Sequence, residues 1–164
     1  MIPTLDTYII SDSHWGHHNI IKYCNRPENH DELMFDNWLK TVKTNDIVLH
    51  LGDLAFKSNY MNFNALPGEK YLIKGNHDHK SNDWYEDNGF IIMPKRVFFN
   101  HEDKKVLFTH YPEKDFWDWD INIHGHIHDR RKRLEYDGRL YINVSVEVMK
   151  YTPVQLKYIL SGEV

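Results

Sequence analysis

The 164-residue chain has one cysteine, Cys24, so no internal disulfide can staple it. It also lacks a long apolar run: the longest, Phe90–Met93, falls far short of the roughly 18 residues that span a bilayer. Met1 is followed by Ile-Pro-Thr-Leu-Asp rather than by the basic start and apolar stretch of an export signal. A reducing, cytoplasmic setting without a membrane is therefore expected. With only 6 prolines and 8 glycines, no linker or low-complexity tract divides the sequence, and one domain over residues 1–164 is expected. Positive charge is not in excess either. Twenty basic residues against 24 acidic ones leave a net charge of −4, which excludes holding nucleic acid by a general positive field.

Apolar residues make up 41% of the chain, enough for one compact core that buries roughly 70% of the unfolded surface. Histidine is abundant: 12 residues, which points to metal or proton chemistry. Short segments rich in Val, Ile, Leu and aromatics at 5–10, 46–49, 70–73, 105–108 and 120–123 read as buried strands. Between the early ones, Asn29 or Asp31 can cap a helix with Leu33, Met34, Trp38, Leu39 and Val42 on one face. Shorter helices are expected over 59–66 and 82–88, the latter stopped by Gly89. This alternation implies right-handed crossovers and parallel pairing. Beyond residue 90 the rhythm is that of hairpins, turning at 101–103 and at Asp137-Gly138. A last helix is expected from about Pro153, with Val154, Leu156, Ile159 and Leu160 inward.

Each of the five strands runs into polar punctuation: Ser11-Asp12-Ser13-His14, Gly52-Asp53, Gly75-Asn76-His77-Asp78, His110, and Gly125-His126-Ile127-His128. Ligands of open α/β sheets bind at that rim, and Gly52, Gly75 and Gly125 let the backbone turn beside them. In extended chain His126 and His128 project to one face and could share a centre. The pool of Asp12, His14, Asp53, Asn76, His110, His126 and His128 suits hard to borderline ions such as Mn²⁺, Fe²⁺ or Zn²⁺. It is too large for one four-coordinate ion and sufficient for two if a carboxylate such as Asp53 bridges. Two ions about 3.5–4 Å apart can activate a bridging hydroxide and clamp an in-line displacement at phosphorus.

As an ordered set, Asp12-x-His14, Gly52-Asp53, Gly75-Asn76-His77-Asp78, His110 and Gly125-His126-x-His128 resembles the calcineurin-like metallophosphoesterase superfamily, with no motif position replaced. Asp-Ser-His-Trp-Gly-His-His-Asn-Ile from residue 12, Tyr-Cys-Asn-Arg-Pro from 23 and Asn-Val-Ser-Val-Glu from 143 are similar to small single-domain members in bacteria and phages. The resemblance implies a four-layer α/β/β/α sandwich of two mixed β-sheets flanked by helices. It implies that Asp12, His14 and His128 hold one metal, that Asn76, His110 and His126 hold the other, and that Asp53 bridges them. It further implies that His77 protonates or stabilises the leaving oxygen while Asp78 orients its imidazole. The activity implied is hydrolysis of a phosphomonoester or phosphodiester, a nucleotide or another small phosphoester, with two divalent ions, Mn²⁺ first and Fe²⁺, Zn²⁺ or Ni²⁺ as alternatives. Two such ions bring +4 against −2 from Asp12 and Asp53, so an acidic chain still offers a cationic site. A nuclease is the alternative activity, kept open by the basic run 130–133, which reads otherwise as a solvated face. A non-catalytic scaffold is the alternative class.

Some residues carry two readings. His17 is either a contact to the substrate phosphate or a solvated helix start, and Arg26 is either a bidentate phosphate contact or structural. His50 and His124 are expected to support the ligands, and Asn143 to anchor backbone. Phe116, Trp117 and Trp119 either cover the sheet edge or stack a base, and Cys24 is expected to pack.

Overall fold

The structure is a computed structural model describing residues 3–57, 61–115 and 118–164. Four strands, β1 (Tyr8–Ile10), β2 (Ile47–His50), β3 (Glu69–Ile73) and β4 (Phe90–Met93), pair in parallel, with Ile9 opposite Leu49 and Leu49 opposite Tyr71. β4, the longest apolar run, was not among the five expected strands and closes one edge of this sheet. The second sheet contains β5 (Val97–His101), β6 (Lys104–Phe108), β7 (Ile121–His124), β8 (Arg133–Tyr136) and β9 (Arg139–Asn143), in the order β5-β6-β7-β9-β8. Its centre, β6-β7-β9, is parallel, and the two expected hairpins flank it as antiparallel pairs. Both sheets therefore direct the C-terminal ends of their parallel strands to one rim.

Helix α1 (Ile20–Cys24) follows the β1 rim loop, α2 (His30–Thr41) crosses from β1 to β2, and α3 (Asn82–Asp87) links β3 to β4. The α2 stripe is narrower than expected: Met34, Trp38 and Val42 are buried, whereas Leu39 is exposed. The helix expected over 59–66 contracts to a 3-10 turn at Phe63–Ala65, since Leu66, preceding Pro67, is extended (φ −74°, ψ 121°). Residues 59 and 60 of that expectation lie outside the described residues, as do Phe116 and Trp117. The last helix, α4 (Leu156–Ser161), starts later than expected. Val154 and Gln155 form strand β10, which covers the open edge of β1 by antiparallel pairing, because unpaired edge groups need a partner. Strand β1 is shorter than expected at its start, where Thr7 N–H closes a turn on Thr4 O at 3.0 Å.

Between the sheets lies one core, with Ile9, Leu49 and Ile73 from the first sheet and Val106, Phe108, Ile123 and Ile142 from the second. Leu156 and Ile159 of α4 join it. Outside the first sheet, Ile10, Val48, Leu72 and Phe90 pack on Met34 and Trp38 of α2 and Tyr85 of α3. The α/β sandwich stands, with one adjustment to its fourth layer. Loop rather than helix meets the outer face of the second sheet among the described residues: Glu113 N–H donates to Asn122 Oδ1, and Trp119 packs edge-on to Tyr141. No helix of the described residues is long and apolar enough to cross a membrane.

Trp38 is fully buried and its indole N–H donates to Pro67 O at 3.0 Å, fastening α2 to the loop before β3. Trp38→Ala is expected to cost about 3–5 kcal/mol in equilibrium urea unfolding; a loss below about 1 kcal/mol would contradict this packing.

Candidate metal centre

Where the strands of both sheets end, the chain exits hydrogen-bond into one seam. Ser11 bridges Ser145 in parallel across the two sheets, and Val146 N–H donates to Ser11 O at 3.0 Å. Gly125 N–H donates to His110 O, and Asp12 N–H to Gly52 O, both at 3.0 Å. The seam is tight enough to dictate two glycines by close approach: a Cβ on Gly125 would strike the Asp12 carboxylate and the Ser11 hydroxyl, and one on Gly75 would strike Asp53. Asp12, His14, Asp53, His126 and His128 all take left-handed backbone conformations, with φ between 49° and 69°. Such conformations are tolerated best by Asp, Asn and His and store strain at functional sites. They also mean that His126 and His128 are not in extended chain, so their spacing does not by itself bring the two to one centre.

Instead the donors divide into two groups. Asp12, His14 and His128 offer ligand atoms within 4.8 Å of one another, and so do Asp53, His110 and His126. Asn76 joins the second group, its Oδ1 2.9 Å from His110 Nε2. Asp53 stands between the groups, with Oδ2 3.4 Å from His14 Nε2 and 3.5 Å from His110 Nε2. Its other oxygen is occupied, accepting from the His77 amide at 2.8 Å. His110 Nδ1 lies 2.8 Å from Leu51 O. A carbonyl only accepts, so Nδ1 carries a proton; burial alone would lower the ring, but Asp53 and Asp12 raise it above its ordinary value, so without a cation Nε2 also holds a proton and donates towards Asn76 and Asp53.

The polar atoms here are too buried to be left alone. Asp12 Oδ1 and both ring nitrogens of His14 have no hydrogen-bond partner, and an unsatisfied buried polar group costs about 1–3 kcal/mol. Burial depresses His14 to about 3, so its imidazole is neutral and free to ligate. Burial alone would raise Asp53, but the hydrogen bond and charge of His110, with the His77 amide, hold its carboxyl well below the usual range. Imidazole, carboxylate and amide oxygen in this density fit divalent cations of hard to borderline character.

Asp78 and Cys24 meet different geometry from that expected, and the double readings of Arg26 and His17 fall on their structural side. Asp78 does not hold the His77 ring. Its carboxylate accepts from Asp53 N–H (2.7 Å), Leu54 N–H (3.0 Å) and Gly75 N–H (2.8 Å), and so fixes the two loops that carry Asp53 and Asn76. Arg26 is buried and donates to Asp12 O (2.6 Å), Ser13 O (2.7 Å) and Glu147, leaving its guanidinium committed beneath the site rather than open to a phosphate. The His17 ring lines the cavity over His14, but its Nδ1 accepts from Ile20 N–H at 3.1 Å, a helix-start role. Cys24 is more than packing, since its thiol stands in a third donor group with His128 and Glu147. Arg26 on Glu147 makes that group a poor place for a cation. The support readings hold more closely. His50 is buried, depressed to about 3, and ties Ser13 Oγ (2.8 Å) to Gly52 N–H (3.1 Å). Asn143 donates to His128 O (2.7 Å) and Arg130 O (2.9 Å), anchoring the last ligand loop.

Glu147 and Ser145 were not foreseen. The Ser145 hydroxyl donates to Asp12 Oδ2 at 2.9 Å. Glu147 Oε1 lies 2.9 Å from His128 Nδ1 and 2.7 Å from Arg26 Nη2. The carboxylate therefore fixes the His128 tautomer, leaving Nε2 for a ligand, while Arg26 ties that carboxylate to the Asp12 loop. The available signal was position: 144–147 follow β9, a sixth strand ending at the same rim. Glu147→Ala is expected to weaken Mn²⁺ affinity about 10–100-fold by titration calorimetry, with the melting temperature followed in parallel. Unchanged affinity would show that Glu147 only packs.

The model of the calcineurin-like phosphoesterase superfamily domain matches residues 5–148. The chain is 38% identical to protein MJ1445 of Methanocaldococcus jannaschii, over 93% of this chain and 88% of that one. It is 26% identical to the gene 66 protein of Mycobacterium phage L5, over 87% and 86% respectively. In structure it resembles AQ665 of Aquifex aeolicus, titled a protein of unknown function, with a TM-score of 0.76 and 29% identity over 94% of this chain and 97% of that one. With the family's motif residues gathered at one seam and its domain spanning nearly the whole chain, this protein belongs to the calcineurin-like phosphoesterase superfamily.

Proposed function

We propose that the protein hydrolyses phosphoesters with two divalent cations. One is held by Asp12, His14 and His128, the other by Asn76, His110 and His126, and Asp53 is shared between them. A bound pair of this kind supplies Lewis-acid charge and a water acidic enough to attack phosphorus. Mn²⁺ is the proposed ion, and Fe²⁺, Zn²⁺ and Ni²⁺ suit the same donors. The observation that carries the reading is the position of Asp53 Oδ2, 3.4 Å and 3.5 Å from imidazole nitrogens of the two groups. An oxygen so placed belongs to both.

His77 supplies the protein's own acid. Its backbone N–H is spent on Asp53 Oδ1, which hangs the exposed ring over the seam, with its centroid 5.4 Å from that of His14. There it opens into a cavity of about 430 Å³ together with His126 and His128. An imidazole at that rim can give a proton to a departing oxygen. Since the ligand set and His77 are all present, hydrolysis is favoured over a scaffold role.

Asp53→Asn is expected to bring turnover of bis(4-nitrophenyl) phosphate to background, because both groups lose their shared carboxylate; full activity would refute the sharing. His77→Ala is expected to keep its metal content, measured by emission spectrometry, while losing about 10²–10⁴-fold in kcat for poor leaving groups and less for good ones. Equal losses across leaving groups would remove His77 as proton donor.

A further inference from the structure

Two cavities adjoin the candidate metal centre. The first, about 500 Å³, is lined by Asn76 and His110 and by Tyr111, Pro112 and Lys95. The second, about 430 Å³, is lined by His14, His126 and His128, by His77, and by His17 and Tyr23. Each falls within the roughly 300–1,000 Å³ typical of small-ligand sites.

Each cavity also exposes aromatic surface beside a ligand histidine. The Tyr111 ring lies 4.3 Å from the His126 ring and 4.9 Å from that of His110, yet Tyr111 is 49% exposed. On the other side, the His17 ring stands 5.8 Å from His14 and 4.0 Å from Phe56, and Tyr23 lies 6.1 Å from His17. Phe56 and Tyr23 are 55% and 72% exposed. Large aromatics left open to water at both ends of a cationic centre do nothing for the core, and successive bases of a nucleic-acid strand stack on such surfaces.

Resting on the phosphoesterase reading above, we infer that the substrate is a nucleotide phosphodiester, with one base stacked on Tyr111 and the other on the His17, Phe56 and Tyr23 face. The scissile phosphate lies between them over Asp53. Water adds its oxygen to phosphorus, one P–O ester bond breaks, and the departing oxygen takes a proton. Each turnover on a dinucleoside monophosphate thus yields one nucleoside and one nucleoside monophosphate.

The test compares an adenine dinucleoside monophosphate with the same sugar-phosphate dimer lacking both bases, using Mn²⁺-loaded protein. The base-containing dimer is expected to have about a tenfold lower KM with similar kcat. That KM ratio should collapse towards one in the Tyr111→Ala, Phe56→Ala double variant and persist in Tyr158→Ala, a distant exposed tyrosine of α4. Calorimetry gives a readout without turnover: nucleoside monophosphate should bind more tightly than the baseless sugar phosphate, and the difference should shrink in the double variant. Equal KM for both dimers, or a ratio untouched by the double variant, overturns the inference while leaving the phosphoesterase reading intact. Failure of wild-type protein to hydrolyse bis(4-nitrophenyl) phosphate with Mn²⁺ bound overturns both.

Discussion

Carboxylates and imidazoles crowded into one buried seam are the constraint on which this structure depends. Asp12 and Asp53 are both buried, and the atoms turned towards them are largely imidazole nitrogens and an amide oxygen. Buried carboxylates need compensating positive charge, either protons on His110 and His128, both held above the ordinary imidazole value despite burial, or a cation in their place. The fold does not relieve this locally. It fastens the carboxylates in place, with Ser145 and the His126 amide on Asp12 and the His77 amide on Asp53. Hydrogen bonds spent in this way keep together a donor set of the kind that a divalent cation could join.

The sandwich serves that arrangement. Parallel strands in each sheet send their C-terminal ends to a common rim, and the Ser11–Ser145 bridge closes the rim into a seam. Left-handed residues just beyond the strands reverse the chain so that Asp12, His14, Asp53, His126 and His128 aim inward. A supporting shell then joins distant segments. Asp78 holds the loops of Asp53 and Gly75, and the Arg26–Glu147 pair holds the loops of Asp12 and His128.

Much of this was legible in the chain. Buried parallel strands leave short Val, Ile and Leu runs, and a ligand placed directly after such a run is found by its position alone. His110 after Val-Leu-Phe-Thr is the clearest case. What could not be read depends on direction or on long range. Asp78 sits in the motif beside His77, but its loop turns the carboxylate back towards backbone amides. Arg26 and Glu147 are 121 residues apart, so no periodicity connects them. Treating His126 and His128 as extended missed their left-handed turns, although the resemblance had already assigned the two to different metals. Val154 looked helical by composition, and the open edge of β1 took it as a strand.

The most direct measurement is anomalous diffraction from crystals grown with Mn²⁺. The account predicts two peaks about 3.5–4 Å apart, with Asp53 between them, one against Asp12, His14 and His128 and the other against Asn76, His110 and His126. A single peak, or peaks with Asp53 turned away from either, would contradict it.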